Sequence, residues 1–434
     1  MANYNQIELV SNPILPKAMK ETRLPKGESD PVAFNCTCPA SANGLALLFY
    51  RYYTAPPCLP ATHKDQTLDL QALAGWHTDQ TARLNLGGKI RIAKEGFNIT
   101  VGGTKHEINS YIQACLSHWS FAGLELQTEK QQKAFFKPSE GACACAFGGA
   151  PANVQIKSEI TPMGVTDYLP ASWDKVEALP PAVFHERCKA QSSLLLDVRN
   201  YYESRIGYFI DPKTGEPAVR PPIRRFSQFP QFVKRGLFDS LAPKTGEGQE
   251  GRQILTYCTG GIRCEKGVRW MQENAEMRDG DKICTLQGGI AAYLMWMDEE
   301  IAQGRKTAEE SLFRGRNYVF DARGSTTLTS EMLDPVSTCH TCGELCDRLS
   351  KCRSRGCHLV LVICTKCEAE SDPRCCENCL GLDSMEVVKS TGPRPICTCE
   401  KEREAMLWGS NRLNPQKSKG EKLHRETNPI PFRK

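Results

Sequence analysis

Closely spaced cysteines near the C-terminus are the feature that most constrains the fold. More than half of the 22 cysteines lie between Cys339 and Cys399. The N-terminus lacks the apolar core of a secretory signal, so this clustering favours metal ligation over a disulfide framework. Two close pairs suffice for one tetrahedral zinc ion, and structural zinc lets a short segment fold around a small core. We therefore predict a zinc-binding module with two zinc ions. The predicted ligands form four pairs: Cys339 and Cys342, Cys352 and Cys357, Cys364 and Cys367, and Cys376 and Cys379.

The pairing of these ligands is open at the level of sequence. The simplest arrangement joins the first two pairs around one ion and the last two around the other, but an interleaved arrangement is equally allowed. Cys375 adjoins Cys376, and either of them could be the ligand. We give no ligand role to Cys346, Cys397 and Cys399. The alternative to zinc is a set of reduced structural or reactive thiols.

Length and composition indicate a multidomain globular protein. The chain of 434 residues exceeds the usual size of one domain, and its apolar content of 40% and charged content of 24% are ordinary. The longest apolar runs are too short to cross a membrane, so we expect no membrane partner and a cytoplasmic location. The formal charge of +5 is small for this length and does not by itself demand a nucleic-acid partner.

Residues 41–170 carry the pattern of a small α+β domain, after a polar lead-in at residues 1–40. The apolar run LALLFYRYY, from Leu45, predicts a buried strand, and KIRIAKEGFNITVGG predicts two strands joined by a turn. Thr104 and Glu107 have capping-box spacing at the start of a predicted helix. The stretch VQIKSEITPMG predicts a further strand.

Residues 171–310 alternate strands with helices, which predicts a parallel sheet. The stretches LLLDVRN, QILTYCTGG and ICTLQGG each read as a short apolar strand that ends in turn-forming residues. Functional groups of parallel sheets gather at the carboxyl ends of the strands, and Cys258 lies at such an end. We assign residues 311–380 to the cysteine-rich module and residues 381–434 to a polar basic tail.

The stretch YCTGGIRC, from Tyr257 to Cys264, has the residues of an anion-binding loop with a reactive thiol. Gly260 and Gly261 allow successive backbone N–H groups to converge on one point, and Arg263 adds a positive charge. Such a loop suits either phosphate-ester hydrolysis or the carriage of sulfur as a persulfide. Four residues separate Cys258 from Arg263, whereas cysteine phosphatases use a longer loop, so the spacing favours sulfur chemistry.

The loop resembles the active-site loop of rhodaneses, the sulfurtransferases, and LLLDVRNYYESRIGYF is similar to a second rhodanese signature. This resemblance implies an α/β rhodanese domain, a parallel sheet flanked by helices. It also implies that Cys258 and Arg263 are catalytic, with the loop backbone of Thr259, Gly260, Gly261 and Ile262 in support. Asp197 and Arg199 fall in the second signature, and we interpret them as an ion pair that braces the loop.

Several further motifs resemble the TrhO (YceA) family of rhodanese-domain proteins: CTGGIRCEK, LQGGI, RIAKEGFNITVGG, FSQFP and YVFDARG. The resemblance implies an acylphosphatase-like (ferredoxin-like) N-terminal domain. It also implies oxygen-dependent hydroxylation of the wobble uridine in tRNA, with the anticodon loop as partner and Cys258 as catalytic thiolate. The sequence presents no evident oxygen-activating cofactor site.

Two other functions fit the same residues. One is a sulfurtransferase that passes persulfide sulfur from a donor to an acceptor. The other is a zinc-dependent interaction scaffold without catalysis. Basic residues such as Arg224 and Arg225 could contact RNA phosphates, and Tyr201 and Tyr202 could stack on an unpaired base, although solvated surface and core packing explain such residues equally well.

Overall fold

The computed structural model describes residues 43–408, apart from 166, 191, 237–250, 329–333, 355, 356, 358 and 380–396. The predicted lead-in at residues 1–40 lies outside the described residues, as does most of the predicted tail. Among the residues that are described, no helix is both long and apolar enough to cross a membrane. The cytoplasmic location stays a prediction.

The N-terminal domain is a five-stranded sheet in the order β4-β1-β3-β2-β5, with helices packed on one face. Pairings β4-β1, β1-β3 and β3-β2 are antiparallel, which is the ferredoxin-like arrangement, and β5 adds a parallel strand beside β2. Its strands are β1 Gly44–Tyr52, β2 Gly87–Ala93, β3 Gly96–Thr104, β4 Ser139–Glu140 and β5 Asn153–Ile156. Its helices are α1 Leu70–Arg83, α2 Lys105–Leu116 and α3 Glu129–Phe136.

Local sequence explains these elements. The hydroxyl of Thr104 accepts a hydrogen bond from the backbone N–H of Glu107, whose carboxylate accepts one from the N–H of Thr104, so the predicted capping box starts α2. In β1, Leu47 and Phe49 are fully buried in the core of this domain. The intervening side chains, including Leu48 and Tyr50, lie on the other face of the sheet. Both faces of β1 are therefore covered.

The second domain is a four-stranded parallel sheet in the order β6-β10-β9-β7. The inner strands β9 and β10 and the edge strand β7 were predicted from the sequence, whereas the edge strand β6 was not. Its strands are β6 Glu177–Leu179, β7 Ser193–Asp197, β8 Gly207–Phe209, β9 Gln253–Tyr257, β10 Lys282–Leu286 and β11 Phe313–Gly315, of which β8 and β11 form a separate antiparallel pair. Its helices are α4 Pro181–Arg187, α5 Tyr201–Ser204, α6 Phe229–Lys234, α7 Ile262–Asn274 and α8 Gly289–Ala302.

The cysteine-rich module and the helix that follows it form the third part of the described chain. It contains strands β12 Asn317–Tyr318, β13 Ser325–Thr326, β14 Leu349–Lys351 and β15 Val360–Val362, and helices α9 Thr365–Glu370 and α10 Thr398–Trp408. Cys397, which precedes α10, is buried among the other cysteines, and Arg403 of α10 is fully buried. Arg403 donates a hydrogen bond to the hydroxyl of Tyr201 in the second domain, at 3.0 Å. Helix α10, which lies beyond the predicted boundary at residue 380, therefore packs back onto the folded chain.

A buried lysine joins the first two domains. Lys266 of α7 is 1% exposed, and its ammonium lies 2.9 Å from carboxylate oxygens of both Glu95 and Glu159. Nearby, the hydroxyl of Tyr52 donates a hydrogen bond to the backbone carbonyl of Ile262, at 3.3 Å. These contacts set β1 against the start of α7.

We predict that Lys266→Met lowers the free energy of unfolding by about 3 kcal/mol, because it leaves two buried carboxylates without their counter-charge. Urea unfolding followed by circular dichroism measures the change. The control Lys282→Met replaces an exposed lysine and should change stability by less than about 0.5 kcal/mol. Equal free energies of unfolding in the two variants would show that the buried contacts of Lys266 do not stabilise the fold.

Candidate active site

The Cys258 loop joins the end of β9 to the start of α7. Gly261 takes a φ of 100°, a left-handed conformation that glycine adopts without strain. A Cβ atom at this position would lie 2.7 Å from the hydroxyl oxygen of Tyr50, so contact with the N-terminal domain also demands glycine. The turn directs the N–H of Gly261 to the Cys258 sulfur, at 3.2 Å. One backbone donor of the glycine pair thus reaches the thiol.

Cys258 is poised as a thiolate. Burial opposes its ionisation, but a hydrogen bond from the Cys264 thiol, the charge of Arg263 and the N–H groups of both residues outweigh that effect. Together they lower the pKa of the Cys258 thiol to about 5. Burial and the adjacent thiolate raise the pKa of Cys264 well above its usual value. The two neighbouring thiols therefore differ in charge at neutral pH.

Arg263 is engaged by a carboxylate that we did not single out. Its guanidinium donates to both carboxylate oxygens of Glu203, at 2.6 and 2.7 Å, and to the hydroxyl of Thr259 at 3.1 Å. Glu203 is fully buried, and the Thr259 hydroxyl also donates to it. From the sequence we expected the positive charge of Arg263 to face an anion bound in the loop. In the structure, a bidentate ion pair with Glu203 already satisfies much of that charge.

Asp197 and Arg199 form a buried brace away from the thiol. The guanidinium of Arg199 donates to both carboxylate oxygens of Asp197, with a shortest distance of 2.7 Å, and to the carbonyl of Gly207 at 2.6 Å. Both side chains are completely buried. The predicted ion pair is thus present, and its hydrogen bonds tie the end of β7 to β8 rather than to the Cys258 loop.

The glycine-rich segment after β10 supports the loop from behind. The carbonyl of Cys258 accepts a hydrogen bond from the N–H of Ile290, and that of Thr259 accepts one from Ala291, at 2.9 and 3.0 Å. A Cβ atom on Gly289 would lie 2.4 Å from the Cys258 carbonyl oxygen, so the two backbones approach as closely as glycine allows. The LQGGI motif therefore shapes the active-site loop.

The N-terminal domain covers the loop, a feature that sequence reasoning missed. A Cβ atom on Gly260 would lie 3.0 Å from the Leu48 side chain, and Cys258 itself has no exposed surface. A signal was available in β1, because both alternating sets of its side chains are apolar or aromatic apart from Arg51. Such a strand has a partner on each face, and here the second partner is the catalytic loop.

A cavity of about 320 Å³ lies beside the loop, between all three parts of the chain. One wall is formed by the loop residues Thr259, Gly260, Ile262 and Arg263. Another wall is the face of the N-terminal sheet opposite its helices. Cationic and aromatic side chains dominate the remaining lining: Lys89, Arg91, Arg224, Arg225, Tyr50, Tyr202, Phe226 and Phe320. Tyr202 thus lies at the cavity as the stacking hypothesis requires, whereas Tyr201 packs in the core against Arg403.

The cysteine-rich module brings its predicted ligands together in the interleaved order. The sulfurs of Cys339, Cys342, Cys364 and Cys367 lie within 4.8 Å of one another, so the first pair meets the third. A second set combines Cys352, Cys357, Cys375 and Cys379, and Cys375, Cys376, Cys379 and Cys397 form an overlapping group. Cys375 belongs to both of these overlapping groups and Cys376 to one of them, and Cys397 joins the cluster although we gave it no ligand role. Sulfur atoms at these separations suit the tetrahedral geometry of zinc.

Comparison with known proteins agrees with this architecture. Residues 46–140 match the family model described as "UPF0176 acylphosphatase like domain", and residues 314–380 match the one described as "Rhodanase C-terminal". A tRNA uridine(34) hydroxylase from Leptospira interrogans is 30% identical over 341 residues, which cover 77% of this chain and 78% of the relative. The chain belongs to the TrhO (UPF0176) family. The resemblance seen in the sequence is thereby confirmed.

Other similar proteins include members of the TrhO family and a plant protein. A tRNA uridine(34) hydroxylase from Bacillus mycoides is 28% identical, covering 71% of this chain and 84% of the relative. The Rhodanese-like domain-containing protein 6 of Arabidopsis thaliana is 28% identical over 80% of this chain, which spans only 54% of that relative. A solved structure from Rhodopseudomonas palustris, described as a possible tyrosine phosphatase, covers 28% of this chain and 82% of its own at 16% identity. Its TM-score of 0.20 carries no argument.

A pKa of about 5 predicts that iodoacetamide alkylates Cys258 at a constant rate from pH 8 to about pH 6, because the thiolate is the reactive form. Below pH 5 the rate should fall about tenfold per pH unit as the thiolate is protonated. Mass spectrometry of the labelled peptide measures the rate, and Cys258→Ser provides the blank. A midpoint above pH 7 would contradict the geometry described here.

Proposed function

We propose that this protein is an enzyme that hydroxylates the wobble uridine of tRNA, with Cys258 as its catalytic thiolate. The relatives named tRNA uridine(34) hydroxylase support the reaction. The observation that carries the proposal for this chain is the cavity beside the Cys258 loop. Its volume lies at the lower end of small-molecule sites, which suits a single nucleotide.

The lining of the cavity suits a nucleotide drawn out of an RNA loop. Bases in an anticodon loop are readily unstacked, and aromatic side chains such as Tyr202 and Phe226 offer them replacement stacking. Basic side chains such as Lys89 and Arg225 suit the flanking phosphates. The small net charge of the whole chain is no obstacle, because these charges are concentrated at one cavity.

The chemistry of a buried thiolate suits a uracil ring. A thiolate that adds to C6 of uracil forms a carbon–sulfur bond and moves the electron pair of the C5–C6 double bond onto C5 and O4. C5 then becomes the nucleophilic atom, and C5 is the position that this hydroxylation modifies. C5 then forms a bond to one atom of molecular oxygen, and the other atom leaves as water with two electrons and two protons from a pair of external thiols, which become a disulfide. Loss of the C5 proton and departure of the thiolate restore the ring and the enzyme. Leu48 must move from Gly260 to admit the substrate, because Cys258 is covered in this conformation.

The sulfurtransferase alternative rests on the same low-pKa thiol. A thiolate of this kind can also accept sulfur from thiosulfate and hold it as a persulfide. The two activities make different demands on the protein, because sulfur transfer needs no nucleotide-sized cavity lined by basic and aromatic side chains. This is the reason to prefer hydroxylation.

We predict that tRNA from cells whose only copy is Cys258→Ser lacks 5-hydroxyuridine and the nucleosides derived from it. Liquid chromatography with mass spectrometry of digested tRNA measures the loss. The control Cys284→Ser removes another buried thiol of the same domain and should retain wild-type levels. Undiminished 5-hydroxyuridine in Cys258→Ser would exclude this role and favour the scaffold. If purified wild-type protein releases thiocyanate from thiosulfate and cyanide, and the peptide that contains Cys258 gains the mass of one sulfur atom, the sulfurtransferase is favoured.

We further propose that the module binds two structural zinc ions in the interleaved order. The first site uses Cys339, Cys342, Cys364 and Cys367. The second draws its four ligands from Cys352, Cys357, Cys375, Cys379 and Cys397. The close approach of four sulfurs in each set supports this, because unligated thiols gain little from such crowding.

Paired substitutions separate the two possible orders. We predict that Cys339→Ser with Cys364→Ser leaves one zinc ion per chain, because both residues belong to one interleaved site. Cys339→Ser with Cys352→Ser should remove both ions. Sequential pairing predicts the reverse result. Zinc is measured by inductively coupled plasma mass spectrometry on purified protein, and Cys346→Ser, which lies outside the clusters, should retain two ions.

A further inference from the structure

The second group of sulfurs in the cysteine-rich module contains more ligands than one zinc ion can use. The first proposed site is a single set of four cysteines, none of which belongs to another set among the described residues. The second group consists of two overlapping sets, which together contain six cysteines: Cys352, Cys357, Cys375, Cys376, Cys379 and Cys397. A tetrahedral zinc ion takes four ligands, so one ion leaves two of these six cysteines unused.

Three separate segments of the chain bring these six sulfurs together. The turn between β14 and β15 carries Cys352 and Cys357, a second segment carries Cys375, Cys376 and Cys379, and the residue before α10 is Cys397. The N–H of Arg353 donates to the carbonyl of Pro373 at 2.9 Å, which ties the first segment to the second. The sulfur of Cys397 lies 3.7 Å from that of Cys357 and 3.9 Å from that of Cys375, so the third segment contacts both.

The way in which the two sets overlap indicates how a second ion fits. Both sets contain Cys375 and Cys379, whose sulfurs lie 3.3 Å apart. The two cysteines of the β14–β15 turn complete one set, and Cys376 and Cys397 complete the other. Two metal tetrahedra that share an edge need this arrangement, with two bridging thiolates and four terminal ones. The six sulfurs therefore provide two adjoining positions for a four-coordinate ion.

Charge balance permits both positions to be filled. Two zinc ions on six thiolates leave the same net charge as one zinc ion on four, so the pair is no more anionic than an ordinary structural site. The side chain of Cys397 is only 2% exposed, and a thiolate buried to that extent needs a counter-charge. An ion in the second position supplies it, and the protons of Cys376 and Cys397 pass to solvent as the ion binds.

The two positions differ in access and in affinity. Cys376 is half-buried, whereas the other five cysteines are buried, so the position beside Cys376 is the one that solvent reaches. An ion that enters there shares two thiolates with an ion already in place and is repelled by it. This ion therefore binds more weakly than the structural ion next to it.

We propose that the module binds a third, exchangeable zinc ion at Cys375, Cys376, Cys379 and Cys397, with Cys375 and Cys379 bridging it to the structural ion of the second site. The inference rests on the proposed zinc ligation of this module and adds one ion to the two that are tightly held.

The third ion connects the metal centre to the end of the described chain. Cys397 lies beyond residues 314–380, which match the family model of the C-terminal region. Ligation of Cys397 fixes the start of α10, and Arg403 of that helix donates to the hydroxyl of Tyr201 in the second domain. Binding of this ion therefore strengthens the contact between α10 and the rhodanese domain.

The first test counts zinc ions in the full-length protein by native mass spectrometry. After dialysis against zinc-free buffer the wild type should hold two ions, and after equilibration with a slight excess of zinc chloride it should hold three. Cys376→Ser and Cys397→Ser should hold two ions in both conditions, because each removes a terminal ligand of the third ion alone. The control Cys399→Ser should still take up the third ion, because the Cys399 thiol lies outside both sets and donates to the carbonyl of Cys375, at 3.3 Å.

The outcomes separate this inference from the proposals on which it rests. A wild type that stays at two ions overturns the third ion and leaves the two structural sites standing, whereas a wild type without zinc overturns both. Uptake of a third ion by Cys376→Ser and Cys397→Ser also overturns the inference, because that ion then binds elsewhere. The measurement uses no tRNA, so it does not depend on whether the protein forms 5-hydroxyuridine.

Cadmium-113 NMR tests the shared thiolates directly. Full-length protein with all its zinc exchanged for cadmium-113 should give three resonances, two of them split by scalar coupling through the bridging sulfurs. The resonance of the first site should be unsplit. Cys376→Ser should lose one of the coupled resonances and leave the other unsplit. Three unsplit resonances in the wild type would overturn the bridged arrangement.

Discussion

The buried ion pair between Glu203 and Arg263 is the interaction on which the active-site loop depends. It joins α5 to the first turn of α7, and the Thr259 hydroxyl completes it from within the loop. Breaking a buried pair of this kind typically costs about 3–5 kcal/mol, because one charge is left without its partner. The loop therefore keeps its shape only while Glu203 is in place, and with it the convergence of N–H groups on Cys258. The same pair limits how much charge Arg263 offers to the thiolate.

Local patterns in the sequence predicted the elements that carry the site. Short continuous apolar runs predicted β1, β7 and β9, and the Thr104 capping box predicted the start of α2, because these signals depend on residues a few positions apart. The position of Cys258 followed from its place at the end of a parallel strand. Glu203 lay within a recognised signature but had no assigned role, since nothing in the spacing indicates which cation it meets about sixty residues later.

The rest depends on contacts between domains, which leave weaker traces in the sequence. Leu48 and Tyr50 reach the loop only because the N-terminal sheet packs against α7, and that docking follows from the shape of two folded surfaces. The clustered cysteines show the same limit. Spacing identified close pairs of cysteines, but the choice between sequential and interleaved order depends on how the hairpin of β14 and β15 folds between them. Cys397 joins the cluster because α10 returns to pack against Tyr201.

The cavity takes its lining from residues that run from Leu48 in β1 to Val360 in β15. A ribosome must therefore synthesise most of the chain before the cavity can exist, although Cys258 and its own loop emerge much earlier. Leu48, which covers the loop, precedes Cys258 in the chain, whereas Phe320 and Val360, which close the last wall of the cavity, follow it. The cover of the nucleophile and the wall that completes its cavity therefore come from opposite ends of the described chain.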